Sequence, residues 1–165
     1  MTPLPLFRET VRPEWIDYNG HLSEAFYVLV FGHATDAMMD ATGMDAMYRA
    51  DSGCSLYTVE SHIRYLRDVP EGAHLGVRTR ILGAGGRKAH FTHEMYVLDA
   101  ADAAPDADAA PDANAAVVAT SEMLALHVDQ KAGRATPFPA GVRDRLAPLV
   151  ETAPAWAGRA IAPVV

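Results

Sequence analysis

A single change of period constrains this chain more than any other feature. Between residues 22 and 41, Leu22, Phe26, Leu29, His33 and Ala37 fall at spacings of three and four, and Val30, Ala34 and Met38 widen the stripe. That is the repeat of an amphipathic helix. From residue 55 onward the repeat drops to two. In 55–66, Tyr57, Val59, Ser61, Ile63 and Tyr65 alternate with Thr58, Glu60, His62, Arg64 and Leu66. Leu75, Val77, Thr79 and Ile81 alternate with Gly76, Arg78 and Arg80, and the segments 87–98 and 117–128 alternate in the same way. Strands with one wet face read like this. With a short extended segment at 7–16 and turns at 70–72 and 83–86, the order is strand, one long helix, then four strands joined by hairpin-type turns. The expected fold is α+β, an antiparallel sheet wrapped around one long central helix.

Local chemistry marks the boundaries. Pro13 lacks a backbone donor and suits a strand end or edge. Asn19-Gly20 is a strong reversal signal. Ser23 is the expected N-cap, Glu24 in the first turn matches the helix dipole, and Thr42-Gly43 ends the helix. The segment 102–107 is repeated residue for residue at 108–113, with a proline every six residues among Asp and Ala. It buries little, so 99–115 is expected to be a lengthened, mobile hairpin loop. A loop at 133–139 and a short helix at 142–150 follow. The expected organisation is a single domain over 1–150 and a Pro/Ala-rich tail over 151–165.

Half of the 165 residues are hydrophobic, enough for a real core, yet no apolar run reaches the roughly 20 residues of a membrane span. The net charge of −7 argues against nucleic acid as a partner. Five aspartates in 99–115 account for most of it, leaving −2 elsewhere, so a local basic patch for an anionic ligand is still open. The opening MTPLPLFRET has no basic stretch followed by an apolar one, and the single cysteine, Cys54, fits a reducing compartment. The expected location is the cytoplasm.

Several chemistries find no support. His90 and His93 stand three apart on a predicted strand, hence on opposite faces, and no HExxH, paired CxxC or phosphate loop occurs. No metal site is expected, and His33 on the helix stripe reads as a satisfied core histidine. No G-x-S-x-G elbow surrounds any serine, and Cys54 has no identifiable His and acid partners. The segment from Trp15 to His21 is different. It packs an acid (Asp17), an imidazole (His21), an amide (Asn19) and two aromatics (Trp15 and Tyr18) just ahead of the main helix. A helix start offers unpaired N–H groups and a positive dipole end, where the oxyanion of a thioester is stabilised while a carboxylate attacks or activates water. Equally, Asp17 and Asn19 are the residues that cap such a turn.

This D-x-x-G-H string followed by a long amphipathic helix resembles the N-terminal motif of hotdog-fold thioesterases of the 4-hydroxybenzoyl-CoA thioesterase type. The run ESHIRYLRDVPEG at 60–72 is similar to their second strand and its turn, and RATPFP at 134–139 to the segment after their last strand. The likeness extends from about residue 7 to 149 in the right order. The strings VRPEWIDYNGH at 11–21 and YTVESH at 57–62 resemble more narrowly the betainyl-CoA thioesterases of carnitine catabolism. Many relatives carry Asn where this chain has Ser23, and the acidic loop is an addition.

The resemblance implies a hotdog fold and hydrolysis of a short acyl-CoA, betainyl-CoA being favoured, without metal or organic cofactor. It implies Asp17 as nucleophile or general base, with His21 in the catalytic pair and amides near Ser23 and Glu24 as the oxyanion site. The cleft is expected between two subunits of a homodimer or homotetramer. By residue type, Glu60 and His62 are candidates to line it, or else a solvated strand face. Trp15, Tyr18 and Tyr27, with Asn19 nearby, are candidates for binding the acyl group, the aromatics as a cage for a trimethylammonium. Tyr27 is also explained by helix packing. Arg87 and Lys88 are the first candidates for the coenzyme A phosphates, with Arg64 and Arg67 in reserve. Alternatives are a thioesterase for aromatic or medium-chain acyl-CoA, which an apolar pocket around Phe26 and Met38 favours, and a non-catalytic acyl-CoA-binding protein.

Overall fold

The computed structural model describes residues 4–99 and 115–159. The expected hairpin loop at 99–115 lies, apart from its ends, outside the described residues, as does the tail beyond 159. In chain order the elements are β1 (Phe7–Thr10), α1 (Glu24–Ala41), α2 (Ala46–Ser52), β2 (Cys54–Tyr65), β3 (His74–Gly85), β4 (Lys88–Leu98), β5 (Val117–Asp129), β6 (Arg134–Ala135) and α3 (Ala140–Leu146). The strands pair antiparallel in the order β1-β3-β4-β5-β2, with the short β6 added to β5. The sheet curls around α1. This is the expected α+β hotdog architecture.

The helix buries Tyr27, Val30, Phe31, Ala34, Thr35, Met38 and Met39, again at spacings of three and four. The stripe is displaced from the expected one, and Leu29 with its neighbour Val28 faces outward at 40% and 48% exposure. Apolar residues occur on almost every side of this helix, so its own periodicity does not choose the face; the curvature of the sheet does. The helix ends in a Schellman motif. Gly43 has φ +82°, Met44 N–H donates to the Met39 carbonyl at 2.8 Å, and Gly43 N–H donates to that of Asp40 at 3.2 Å.

Two clusters fill the interior. One, around the first half of α1, joins Val11, Trp15, Val30, Phe31, Leu75, Val77, Met95 and Ala119. The other, around its end, joins Met38, Met39, Met44, Ile81, Phe91, Phe138 and Leu146. Each such side chain contributes roughly 1.5–3 kcal/mol by leaving water. Between the clusters sits His93, fully buried, stacked on Phe31 at 5.7 Å and edge-on to Phe91 at 5.3 Å.

Several boundaries differ from expectation. The first strand stops at Thr10, because Pro13 opens a 3-10 turn (Pro13–Trp15) instead of extending the sheet. The glycines at 83–86 are mostly strand: β3 runs to Gly85, and the hairpin turn is Gly86-Arg87 alone, with φ +59° at Gly86. The last helix begins at Ala140 and passes into a 3-10 turn over 147–149. The helix α2 was not expected, although Asp45 caps it by accepting from Tyr48 N–H at 2.8 Å and Gly53 closes it at φ +66°.

The alternation in β2 also breaks. Thr58 pairs with Ala125 and Glu60 with Leu124, so Val59 is an extra residue in a bulge. Side chains directly opposite one another share a face. The inner face therefore carries Leu56, Thr58, Ser61, Ile63 and Tyr65, while Tyr57 joins Glu60, His62 and Arg64 on the outer one.

Candidate active site

The reversal ahead of α1 is closed by its own backbone. Ile16 bridges Leu22, Asp17 N–H donates to the His21 carbonyl at 3.0 Å, and Gly20 N–H donates to the Asp17 carbonyl at 3.0 Å. Only a residue free of a Cβ takes the φ of +81° at Gly20 without strain. Asp17 Oδ1 accepts from Asn19 N–H at 2.8 Å, the Asx turn its sequence permits. Two further bonds tie the loop to its surroundings: Leu22 N–H to the Val69 carbonyl at 2.8 Å, and Ser23 N–H to the Trp15 carbonyl at 2.9 Å.

The capping itself differs from the expected one. Ser23 occupies the N-cap position, but its side chain makes no capping bond. Among the described residues, the amides of Glu24 and Ala25 in the first turn therefore have no protein partner. Unpaired amides at the positive end of an 18-residue helix are a ready acceptor for negative charge.

Asp17, Asn19, His21, Glu24 and Tyr27 line one cavity of about 530 Å³. Its opposite wall is Tyr65, Leu66, Arg67 and Asp68, at the exit from β2. Leu66 and Arg67 N–H groups both donate to the Val118 carbonyl, at 2.9 and 3.1 Å, which fixes that wall on β5. Tyr27 links the two walls: its hydroxyl donates to the Arg67 carbonyl at 3.2 Å, and its ring meets Tyr65 edge-on at 5.1 Å. Burial first, then the charge of Asp68 and the neighbouring Tyr65 and Asp17, holds the Tyr27 hydroxyl pKa above its ordinary value.

The remaining candidates lie elsewhere in the protomer. Trp15 is 4% exposed, stacks on Phe26 at 5.4 Å and receives the Arg12 guanidinium 5.0 Å from its ring centre. Tyr18 is 98% exposed. Neither lines the cavity, so Trp15, Tyr18 and Tyr27 do not converge into a cage. Glu60 and His62 line a separate groove of about 500 Å³ on the outer face of the sheet, with His90 and Glu122. Arg87 lies in the β3–β4 turn and Lys88 opens β4; the turn is held by His127 N–H on the Arg87 carbonyl (2.8 Å) and Phe138 N–H on that of Gly86 (3.0 Å). Ala89 and Phe91, which follow it on β4, pack with Met38 and Met39 at the far end of α1, a helix about 27 Å long that starts beside the Asp17 turn. Arg67 is the basic side chain at the cavity, and Arg64 lies on the outer face of β2.

The histidines follow their strand parity. His93 points inward, and burial pushes its pKa down to about 3. His90 points outward and pairs with Glu122 at 2.8 Å. His33 is satisfied by Glu9 at 2.8 Å, though its side chain is 38% exposed and not in the core. Among the described residues no group of His, Cys, Asp and Glu side chains is arranged to hold a metal ion. No described helix is long and apolar enough to cross a membrane.

Sequence reasoning passed over Tyr65 and Asp68 at this cavity. The only local signal is that the β2 alternation stops at Leu66 and gives way to the charged pair Arg67-Asp68 before Val69-Pro70.

Residues 11–146 match the thioesterase-like superfamily. The chain is 40% identical over 148 residues to a betainyl-CoA thioesterase from Pseudomonas aeruginosa, covering 90% of this chain and 84% of that one. It is 42% identical over 137 residues to an L-carnitine dehydrogenase/betainyl-CoA thioesterase from Agrobacterium fabrum, covering 83% of this chain but only 25% of that longer protein. A solved protein from Pseudomonas putida KT2440 that carries a thioesterase designation superposes with TM-score 0.78 at 38% identity, over 100% of this chain and 99% of that one. A Staphylococcus aureus protein solved in complex with CoA shares the fold, with TM-score 0.83 at 21% identity over 99% and 98% of the two chains. A sheet of this topology around one central helix, with these relatives, defines a hotdog-fold thioester hydrolase. The chain belongs to the thioesterase-like superfamily.

Proposed function

We propose that this protein hydrolyses an acyl-CoA thioester to the free acid and CoA, with betainyl-CoA as the substrate and Asp17 as the reacting carboxylate. The observation that carries this reading is that Asp17 and the unpartnered first-turn amides of α1 stand at the same end of one helix, with Asp17 and Glu24 on the same cavity. The name borne by the Pseudomonas aeruginosa relative supports the substrate.

Two routes are open to the carboxylate. In one, an Asp17 oxygen attacks the thioester carbon, the C–S bond breaks, CoA leaves as thiolate, and water then cleaves the resulting mixed anhydride. In the other, Asp17 takes a proton from water as the water oxygen attacks, and that proton passes to the departing thiolate. Either sum is acyl-CoA plus water giving acid plus CoA, with no metal or organic cofactor. In both, negative charge grows on the carbonyl oxygen, and in this reading the Glu24 and Ala25 amides receive it. His21, on the same cavity, is placed to hand a proton to the thiolate. Arg67 is the group for a CoA phosphate. The site would operate in the cytoplasm, where acyl-CoA esters are available.

A second copy of the chain completes the cleft in this reading. The outer edge of β2 has no strand partner among the described residues, and Tyr57 and Val59 on that strand are 45% and 53% exposed. Long exposed edges of this kind are templates for pairing. An aromatic or medium-chain substrate is not favoured, because Phe26 is stacked on Trp15 and Met38 is buried in the core, and neither lines the cavity.

The test is thiol release over a panel of acyl-CoA esters. Turnover with betainyl-CoA as the best substrate is expected. Tight binding of the panel without any release would instead make the protein an acyl-CoA-binding one.

A further inference from the structure

The charges around the Asp17 cavity are unbalanced. Three carboxylates, Asp17, Glu24 and Asp68, face one guanidinium, Arg67. Asp17 is held by the Asn19 amide, but Glu24 and Asp68 have no hydrogen bond or ion pair among the described residues. Beside Asp68 stand two tyrosine rings in edge contact, Tyr27 and Tyr65. Asp68 is exposed, yet its charge acts on the buried Tyr27 hydroxyl ahead of every other charged group.

A quaternary ammonium donates no hydrogen bond. It is held by negative charge and by aromatic faces. Trp15 does not line the cavity and Tyr18 stands in solvent; of the two rings that line it, Tyr65 is 47% exposed and the buried Tyr27 is in edge contact with it. We propose that Asp68, with Tyr65 and Tyr27 beside it, seats a permanently cationic acyl group, which makes Asp68 the residue that selects such a substrate over an uncharged one of the same shape. This rests on the thioester-hydrolase reading of the cavity and adds the acyl end to it. Asp17 and the helix amides handle the carbonyl, and Asp68 handles the cation.

The test compares kcat/KM for betainyl-CoA and for 3,3-dimethylbutyryl-CoA, in which carbon replaces the quaternary nitrogen, using the full chain, Asp68→Asn and Asp68→Glu. The unmodified protein is expected to favour betainyl-CoA. Asp68→Asn should lower the betainyl-to-isostere ratio by about tenfold, the size expected from removing one charge at a partly screened site. Asp68→Glu should restore most of that ratio. A ratio unchanged in Asp68→Asn overturns the role of Asp68. A ratio near one in the unmodified protein overturns the cationic seat and leaves the hydrolase standing. No thiol release from either ester removes the hydrolase reading, and the seat goes with it.

Discussion

Thr35 Oγ1 lies 2.9 Å from His93 Nε2, joining the middle of the central helix to the middle of the sheet, where both residues are buried. The Thr35 hydroxyl gives its one proton to the Phe31 carbonyl at 3.0 Å, so the imidazole carries its hydrogen on Nε2. His93 Nδ1 then accepts from the Thr79 hydroxyl at 2.9 Å. Both partners are uncharged hydroxyls, and burial holds the ring in its neutral form.

A pH dependence follows from this arrangement. In the unfolded chain the ring takes up a proton near 6.5, and in the folded protein near 3. Between those values the unfolded state holds more protons, so stability falls as pH drops from about 6.5 towards 3, by up to about 1.4 kcal/mol per unit. In His93→Gln, which cannot titrate, urea midpoints measured between pH 7 and 4.5 should fall less steeply. Parallel curves for the two proteins would remove His93 as the cause.

Asp17→Asn keeps an oxygen able to accept from the Asn19 amide, so the loop should hold its shape. The carboxylate needed for either hydrolytic route is gone. The expected outcome is a fall in kcat of roughly 100- to 10,000-fold with KM little changed and an unaltered circular dichroism spectrum. Turnover at the original rate takes Asp17 out of the mechanism.

Gly43 combines a left-handed φ of +82° with close packing, since a Cβ there would stand 1.6 Å from Arg145 Nη1. Gly43→Ala must adopt the left-handed conformation at a cost of about 1–2 kcal/mol and push the guanidinium aside. Thermal unfolding is expected about 3–6 °C lower, with activity at room temperature kept. An unchanged transition would show that the turn relaxes freely.

Val59 projects from the bulge of β2, whose outer edge has no strand partner among the described residues. A carboxylate there should resist association with a second copy while leaving the protomer's own core intact. Val59→Glu is therefore expected to shift the species seen by light scattering towards monomer and to lower turnover in step. A monomeric variant with full activity would mean that one chain holds the whole site.

Much of this architecture is legible in the residues themselves. The fall from a period near 3.6 to one of 2 marks α1 and the long strands, and Thr42-Gly43 marks the helix end to the residue. Asp17, Asn19, His21, Glu24 and Tyr27 come from one short stretch and meet at one cavity, because a tight turn followed by a helix keeps near neighbours near. Asp45 and Gly53 carried a comparable signal for α2, hidden by an apolar pattern too short to show a period. The bulge at Val59 gave no local sign, and it alone moved Tyr57 to the outer face.

What the sequence determined by itself was therefore local: the identity of the long elements, the shape of the Asp17 turn and the exposed start of the helix after it, all set by backbone preferences within a few residues. What only the tertiary structure decided was company. The pairing of β2 with β5, and the bond from Leu22 to Val69, brought Tyr65, Arg67 and Asp68 across from Asp17 and left Arg87 and Lys88 at the other end of the helix. These contacts join residues some forty or more positions apart, and they depend on strand order and sheet curvature, quantities that no single segment encodes.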